Sequence, residues 1–139
     1  MRLPCRVYYE DTDAAGIVYY ANYLRFLERG RTELLRGLGH EQSALAARHI
    51  AFAVRAVHAE YLQPAKLDDQ ILVETAVESV GHAQVMFAQR IMRGEGQLLD
   101  ARIRVACIDP ARGRPVPMPR DIYQQLKALM VQPAAKLSA

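Results

Sequence analysis

The feature that most constrains this chain is a change of hydrophobic period along it. Tyr20, Tyr23, Leu24, Leu27, Leu34, Leu35 and Leu38 recur at three- and four-residue intervals, which lays an apolar stripe along one helix. From residue 69 the period falls to two. Ile71, Val73, Thr75 and Val77 share one face of an extended segment, as do Ala101, Ile103, Val105 and Cys107, with Arg102 and Arg104 opposite. The two periods cannot exchange, so the chain needs one long helix followed by a run of strands.

Around this pair the remaining elements fall into order. Residues 5–10, CRVYYE, are β-branched and aromatic enough for a strand that runs into Asp11, Thr12 and Asp13. Gly37 and Gly39 mark the helix stop, and Arg25 to Glu28 and Arg29 to Glu33 have helical ion-pair spacing. Residues 41–48 suit a short helix. Residues 51–61 and 82–92 read as two more strands, separated by Gln63-Pro64, Gly81-His82 and Gly94-Glu95-Gly96. Ile122, Leu126, Leu129 and Met130 line one side of a last helix begun near Pro119. The result is an α+β layout in which the helix covers one face of an antiparallel five-stranded sheet. Residues 1–132 form one domain and 133–139 a frayed tail. One helix leaves sheet edges unpaired, and dimerisation is the expected remedy.

Composition then removes several classes of function. Of 139 residues 51% are hydrophobic but only 7% aromatic, and Trp is absent, which suits a packed core better than a stacking platform for nucleic acid. The net charge of +3 is uneven. Residues 111–139 hold Arg112, Arg114, Arg120, Lys127 and Lys136 against Asp121, a basic end without the dense run of a nucleic-acid arm. Cys5 and Cys107 stand far apart with no CxxC, and the four histidines show neither HxxxH nor HxH spacing, so neither a disulfide framework nor a metal site is expected. No signal-peptide pattern opens the chain, and no apolar run approaches the roughly 18 residues of a membrane span. The expected location is cytoplasmic.

The densest polar signal is Glu10, Asp11, Thr12, Asp13, set before a small-residue stretch and the long helix. Strand spacing would point Asp11 and Asp13 to one side, where one tunes the other. A turn that caps backbone amides is the alternative. Gly16 permits close backbone approach to a ligand, and the helix opening near Tyr20 to Asn22 presents free amides. A carboxylate beside such amides suits acyl transfer: the amides hold a developing oxyanion while the carboxylate attacks or activates water. There is no GxSxG, and neither cysteine has a motif partner.

The stretch Val7 to Arg36, VYYEDTDAAGIVYYANYLRFLERGRTELLR, resembles the signature of the hotdog-fold acyl-CoA thioesterases. Within these it is similar to the 4-hydroxybenzoyl-CoA thioesterase family, and to its YbgC-type branch associated with the Tol-Pal cell-envelope system. The likeness continues through Ala51 to Arg55, Glu60-Tyr61, Pro64-Ala65, Gln89-Arg90-Ile91 and Cys107 to Pro110. It implies a hotdog fold, a sheet wrapped around the long helix, and dimers or tetramers in which the partner completes the site.

Carried over by position, the resemblance makes Asp13 the catalytic carboxylate and the Tyr20 amide the group that polarises the thioester carbonyl. Gly16 matches the active-site loop, and Asn22 and Tyr23 match the segment opening the helix. Relatives frequently carry histidine where Tyr20 stands, so a main-chain role fits here better than a side-chain one. They also often carry a basic residue near Ser79 to His82, so the contact with coenzyme A phosphates is either missing here or moved to Arg55, Arg90, Arg112 or Arg114. The implied reaction is hydrolysis of acyl-CoA to free acid and coenzyme A without metal or cofactor. The alternative is a non-hydrolytic module binding acyl-CoA or an acyl carrier protein, tied to envelope or phospholipid metabolism.

Overall fold

The computed structural model describes residues 1–130, and the tail expected over 133–139 lies outside the described residues. In chain order the elements are β1 (Arg2–Arg6), α1 (Tyr23–Gly37), α2 (Gln42–Ala47), β2 (Ala51–Tyr61), β3 (Gln70–Val80), β4 (Gln84–Arg93), β5 (Gly96–Asp109), β6 (Arg114–Pro115) and α3 (Arg120–Leu129). The strands form one antiparallel sheet in the order β1-β3-β4-β5-β2, with two-residue β6 paired to the end of β5 as a strand beyond the expected five. No described helix is long and apolar enough to cross a membrane. Cys5 and Cys107 are free thiols.

The first expected strand is shifted. The extended segment is Arg2–Arg6, and Tyr9–Asp11 turn into a single 3-10 helical turn closed by the Asp11 amide donating to the Tyr8 carbonyl at 2.9 Å. Local hydrogen bonding by the aspartate outweighs the β propensity of the two tyrosines.

Helix α1 buries Tyr23, Phe26, Leu27, Gly30, Leu34 and Leu35. Leu24 and Tyr20 fall off the stripe and are exposed, whereas Phe26 and Gly30 belong to it. The expected pairs Arg25 to Glu28 and Arg29 to Glu33 are replaced: Glu33 bonds Arg36, and Arg29 lies over the Phe26 ring. The helix ends on Gly39, whose φ of +93° suits a residue without Cβ. There the Gly39 amide donates to the Arg36 carbonyl and the His40 amide to that of Leu35, both at 2.9 Å, which satisfies the last turn.

Gly30 sets how close α1 comes to the sheet. A Cβ there would lie 2.5 Å from Thr75 Oγ1 and 3.0 Å from Gln89 Nε2. Gln89 is fully buried, and its Nε2 donates to the Leu27 carbonyl at 2.9 Å and to Thr75 Oγ1 at 2.8 Å. Its Oε1 accepts from Arg31 Nη1 at 2.9 Å. A polar knot therefore joins α1, β3 and β4 inside an otherwise apolar layer of Val73, Val77, Phe87, Ile91, Leu99 and Ile103. On the opposite face of the sheet Arg90 Nε donates to Glu74 Oε1 at 2.9 Å, and both side chains are buried.

Helix α2 is tied to α3 by Arg48, which donates to both Asp121 oxygens at 2.8 and 3.0 Å. That contact holds the Asp121 carboxyl at about 2, well below its ordinary value of 3.8. What stability it gives is present above the ordinary carboxyl range and is lost as pH falls toward 2, and it is small because both groups face water.

Replacing Gly30 by Val should cost on the order of 2 kcal/mol by forcing the helix off the sheet. A lower urea midpoint is the expected result, and an unchanged midpoint would contradict the close packing.

Candidate active site

The acid block folds as a small hairpin. Thr12 bridges Val18, the Asp13 amide donates to the Ile17 carbonyl at 2.9 Å, and the Gly16 amide returns to the Asp13 carbonyl at 3.0 Å. Gly16 has φ +79° with nothing within 4 Å of a Cβ position, so backbone conformation explains this glycine. Its carbonyl accepts the Leu67 amide at 3.2 Å, and Val18 donates to Ala65 at 2.9 Å, which docks the hairpin on residues 65–67.

The two aspartates part company, and the strand reading that put them on one side is corrected. Asp11 is buried, and its Oδ2 accepts the Tyr8 amide at 2.8 Å, a turn-stabilising role. Asp13 is exposed. Its Oδ1 accepts the Ala15 amide at 2.8 Å, and among the described residues nothing occupies its second oxygen. The 3-10 turn and the Thr12–Val18 hairpin thus leave one carboxylate anchored through one oxygen, with the other open among the described residues.

Helix α1 is entered through a 3-10 turn, Tyr20–Asn22, closed by the Asn22 amide donating to the Tyr19 carbonyl at 2.8 Å. Among the described residues no group accepts the Tyr20 amide, which leaves a free donor at the positive end of the helix. Asn22 ties this turn to the acid loop, because its Nδ2 donates to the Asp11 carbonyl at 3.0 Å. Tyr23 is buried and its hydroxyl accepts the Ala65 amide at 2.9 Å. Both side chains position the loop and the helix start.

Exposed tyrosines surround this corner. The Tyr61 hydroxyl donates to the Tyr20 carbonyl at 3.1 Å, and its ring stands edge-on to Tyr23 at 5.5 Å between centroids. Burial, together with the Tyr20 and Tyr23 hydroxyls, pushes the Tyr61 pKa up, so it serves as a neutral donor. Arg55 and Arg90 lie elsewhere. Arg55 is the extra, exposed residue of a bulge in β2, and Arg90 is engaged by Glu74 in mid-sheet.

A cavity of about 480 Å³ opens along the second half of α1, between α2, the start of β2, and α3. Its apolar lining includes Leu35, Leu45, Ile50, Phe52, Phe87 and Leu126, and its polar lining Glu28, Arg31, Thr32, His40 and Gln42. No residue singled out from the sequence as a site residue lines it. Arg31 carried a readable signal, since it falls between Leu27, Leu34 and Leu35 on the apolar stripe. Gln89 carried another, as a polar residue between Phe87 and Ile91 on the inward face of β4.

A family model described as the thioesterase-like superfamily matches residues 7–126. The chain is 45% identical over 127 residues to the acyl-CoA thioester hydrolase YbgC of Escherichia coli, covering 91% of this chain and 95% of that one. It is 47% identical over 120 residues to the acyl-CoA thioesterase YbgC of Haemophilus influenzae, covering 86% and 88%. Among solved structures it is similar to a probable thioesterase from Bartonella henselae, with a TM-score of 0.82, 34% identity, and coverage of 86% of this chain and 98% of that one.

Asn22→Ala should cost about 1 kcal/mol by losing the bond to the Asp11 carbonyl. Faster hydrogen exchange at the amides of Asp13 and Gly16, relative to those of β4, is the expected signature. Unaltered exchange would show that Asn22 does not hold the loop.

Proposed function

This chain belongs to the thioesterase-like superfamily and is an acyl-CoA thioester hydrolase, and on that premise we propose that Asp13 is its catalytic carboxylate. The observation that carries this assignment is the difference between two neighbouring acids: Asp11 is buried in a turn, while Asp13 keeps one oxygen free beside a helix start. The thioester carbonyl accepts the Tyr20 amide, so charge developing on its oxygen meets a donor already in place. Asp13 then follows one of two routes. It attacks the carbonyl carbon and expels coenzyme A thiolate, leaving a mixed anhydride that water cleaves to free acid and regenerated Asp13. Alternatively it takes a proton from a water that attacks directly.

The same reading extends to a site shared between two copies of the chain. Strand β2 ends the sheet, and its core-side residues Val54 and Val57 are 48% and 44% exposed, which is costly for an isolated subunit. Antiparallel pairing of two β2 strands about a twofold axis covers that edge. It sets the Tyr61 end of one strand beside the Ala51 end of the other. Tyr61 is bonded to Tyr20 at the helix start, whereas Ala51 and Phe52 line the cavity. Pairing therefore carries the acid loop of one copy to the cavity mouth of the other, with the acyl group in the cavity. This supports a homodimer as the smallest active unit, with acyl-CoA as substrate.

Asp13→Asn should lower thiol release from acyl-CoA by roughly a thousandfold while the thermal midpoint stays near that of the parent. Turnover near the parent's would exclude Asp13. Hydrolysis in oxygen-18 water tests the anhydride route: label entering Asp13 within a single turnover can come only from water opening the anhydride at the Asp13 carbonyl.

A further inference from the structure

The cavity is not uniformly apolar. Leu35, Leu45, Ile50, Phe52, Phe87 and Leu126 would suit a hydrocarbon chain, yet Arg31 also lines it from α1. A guanidinium has five N–H donors, and among the described residues Arg31 gives one of them, Nη1 to Gln89 Oε1 at 2.9 Å. Gln89 is itself clamped by the Leu27 carbonyl and Thr75 Oγ1, so the guanidinium is held at a fixed place on the wall. Burial lowers the Arg31 pKa and the Glu28 carboxylate, one turn earlier, opposes that shift. A plain alkyl chain filling the cavity would strip water from the remaining donors and leave them only the pull of the Glu28 carboxylate, with no hydrogen-bond acceptor supplied by the chain. An oxygen on the acyl group would accept from them.

Resting on the reading that the cavity receives the acyl group, we propose that Arg31 selects acyl groups bearing a second oxygen function remote from the thioester. A carboxylate matches the guanidinium fork best, and a hydroxyl or oxo group satisfies the same donors without charge. The residue thus acts on substrate choice, while Asp13 acts on the bond that breaks.

The test uses three six-carbon thioesters, hexanoyl-CoA, 6-hydroxyhexanoyl-CoA and adipoyl-CoA, with thiol release measured for the parent and for Arg31→Met and Arg31→Lys. The parent should favour the two oxygenated substrates, and Arg31→Met should lower the kcat/KM ratio of adipoyl-CoA to hexanoyl-CoA by about tenfold or more. Arg31→Lys should keep part of the preference for the carboxylate. An unchanged ratio in Arg31→Met would reduce Arg31 to a support for Gln89. An equal loss on all three substrates would place it against the coenzyme arm they share. Either result overturns the inference and leaves the hydrolase assignment standing, whereas no thiol release from any acyl-CoA by the parent would sink both. Should Arg31→Met fail to fold, inhibition of the parent decides the matter. Adipate should inhibit more strongly than hexanoate, and equal or weaker inhibition by adipate counts against the inference.

Discussion

The contact between Gly30 and the Thr75–Gln89 pair governs the rest of the molecule. A missing Cβ lets α1 sit directly on β3 and β4, and Gln89 converts that proximity into bonds to the Leu27 carbonyl, Thr75 and Arg31. With the middle of the helix fixed, its two ends acquire separate tasks. The N-terminal end is held against the acid loop by Asn22 and against residue 65 by Tyr23. The C-terminal half forms one wall of the cavity. A loosely packed helix could serve neither task, because both depend on placement to a fraction of an ångström.

Polar groups on both faces of the sheet pin the register of its strands. Gln89 is satisfied within the core, and the buried pair Arg90 to Glu74 locks β4 to β3 from the opposite face. Removing one member of such a pair typically costs about 3–5 kcal/mol because the other charge stays buried. Arg90 is thereby engaged by Glu74 within the sheet.

Much of this was legible in the sequence, for reasons that differ by element. The alternating runs of β3 and β5 read correctly because one face of each is buried by the core. The helix read correctly through Tyr23, Leu27, Leu34 and Leu35, but Phe26 and Gly30 were missed, since a glycine at a close crossing carries no hydrophobic signal. The strand expected over residues 5–10 gave way to a turn because Asp11 bonds the Tyr8 amide, a local choice that propensity does not capture. Pattern pointed to the acid block and the helix start, and only the resemblance singled out Asp13 and the Tyr20 amide, which stand as a proposal. The cavity did not, because it is assembled from α1, α2, β2 and α3, which meet only in the folded chain.

Separation is the central physical fact: Asp13 sits by one end of α1 and the cavity lies along the other half, so under the proposed assignment one chain holds two half-sites. Mixing two defective variants measures this directly. Asp13→Asn lacks the carboxylate, and Ala51→Trp fills the cavity mouth, so each alone should be inactive. If the site is shared between copies, unfolding and refolding an equal mixture restores about a quarter of parent activity, because half the dimers are mixed and each carries one intact site. If carboxylate and cavity of the same chain act together, every site in the mixture is defective and no activity returns.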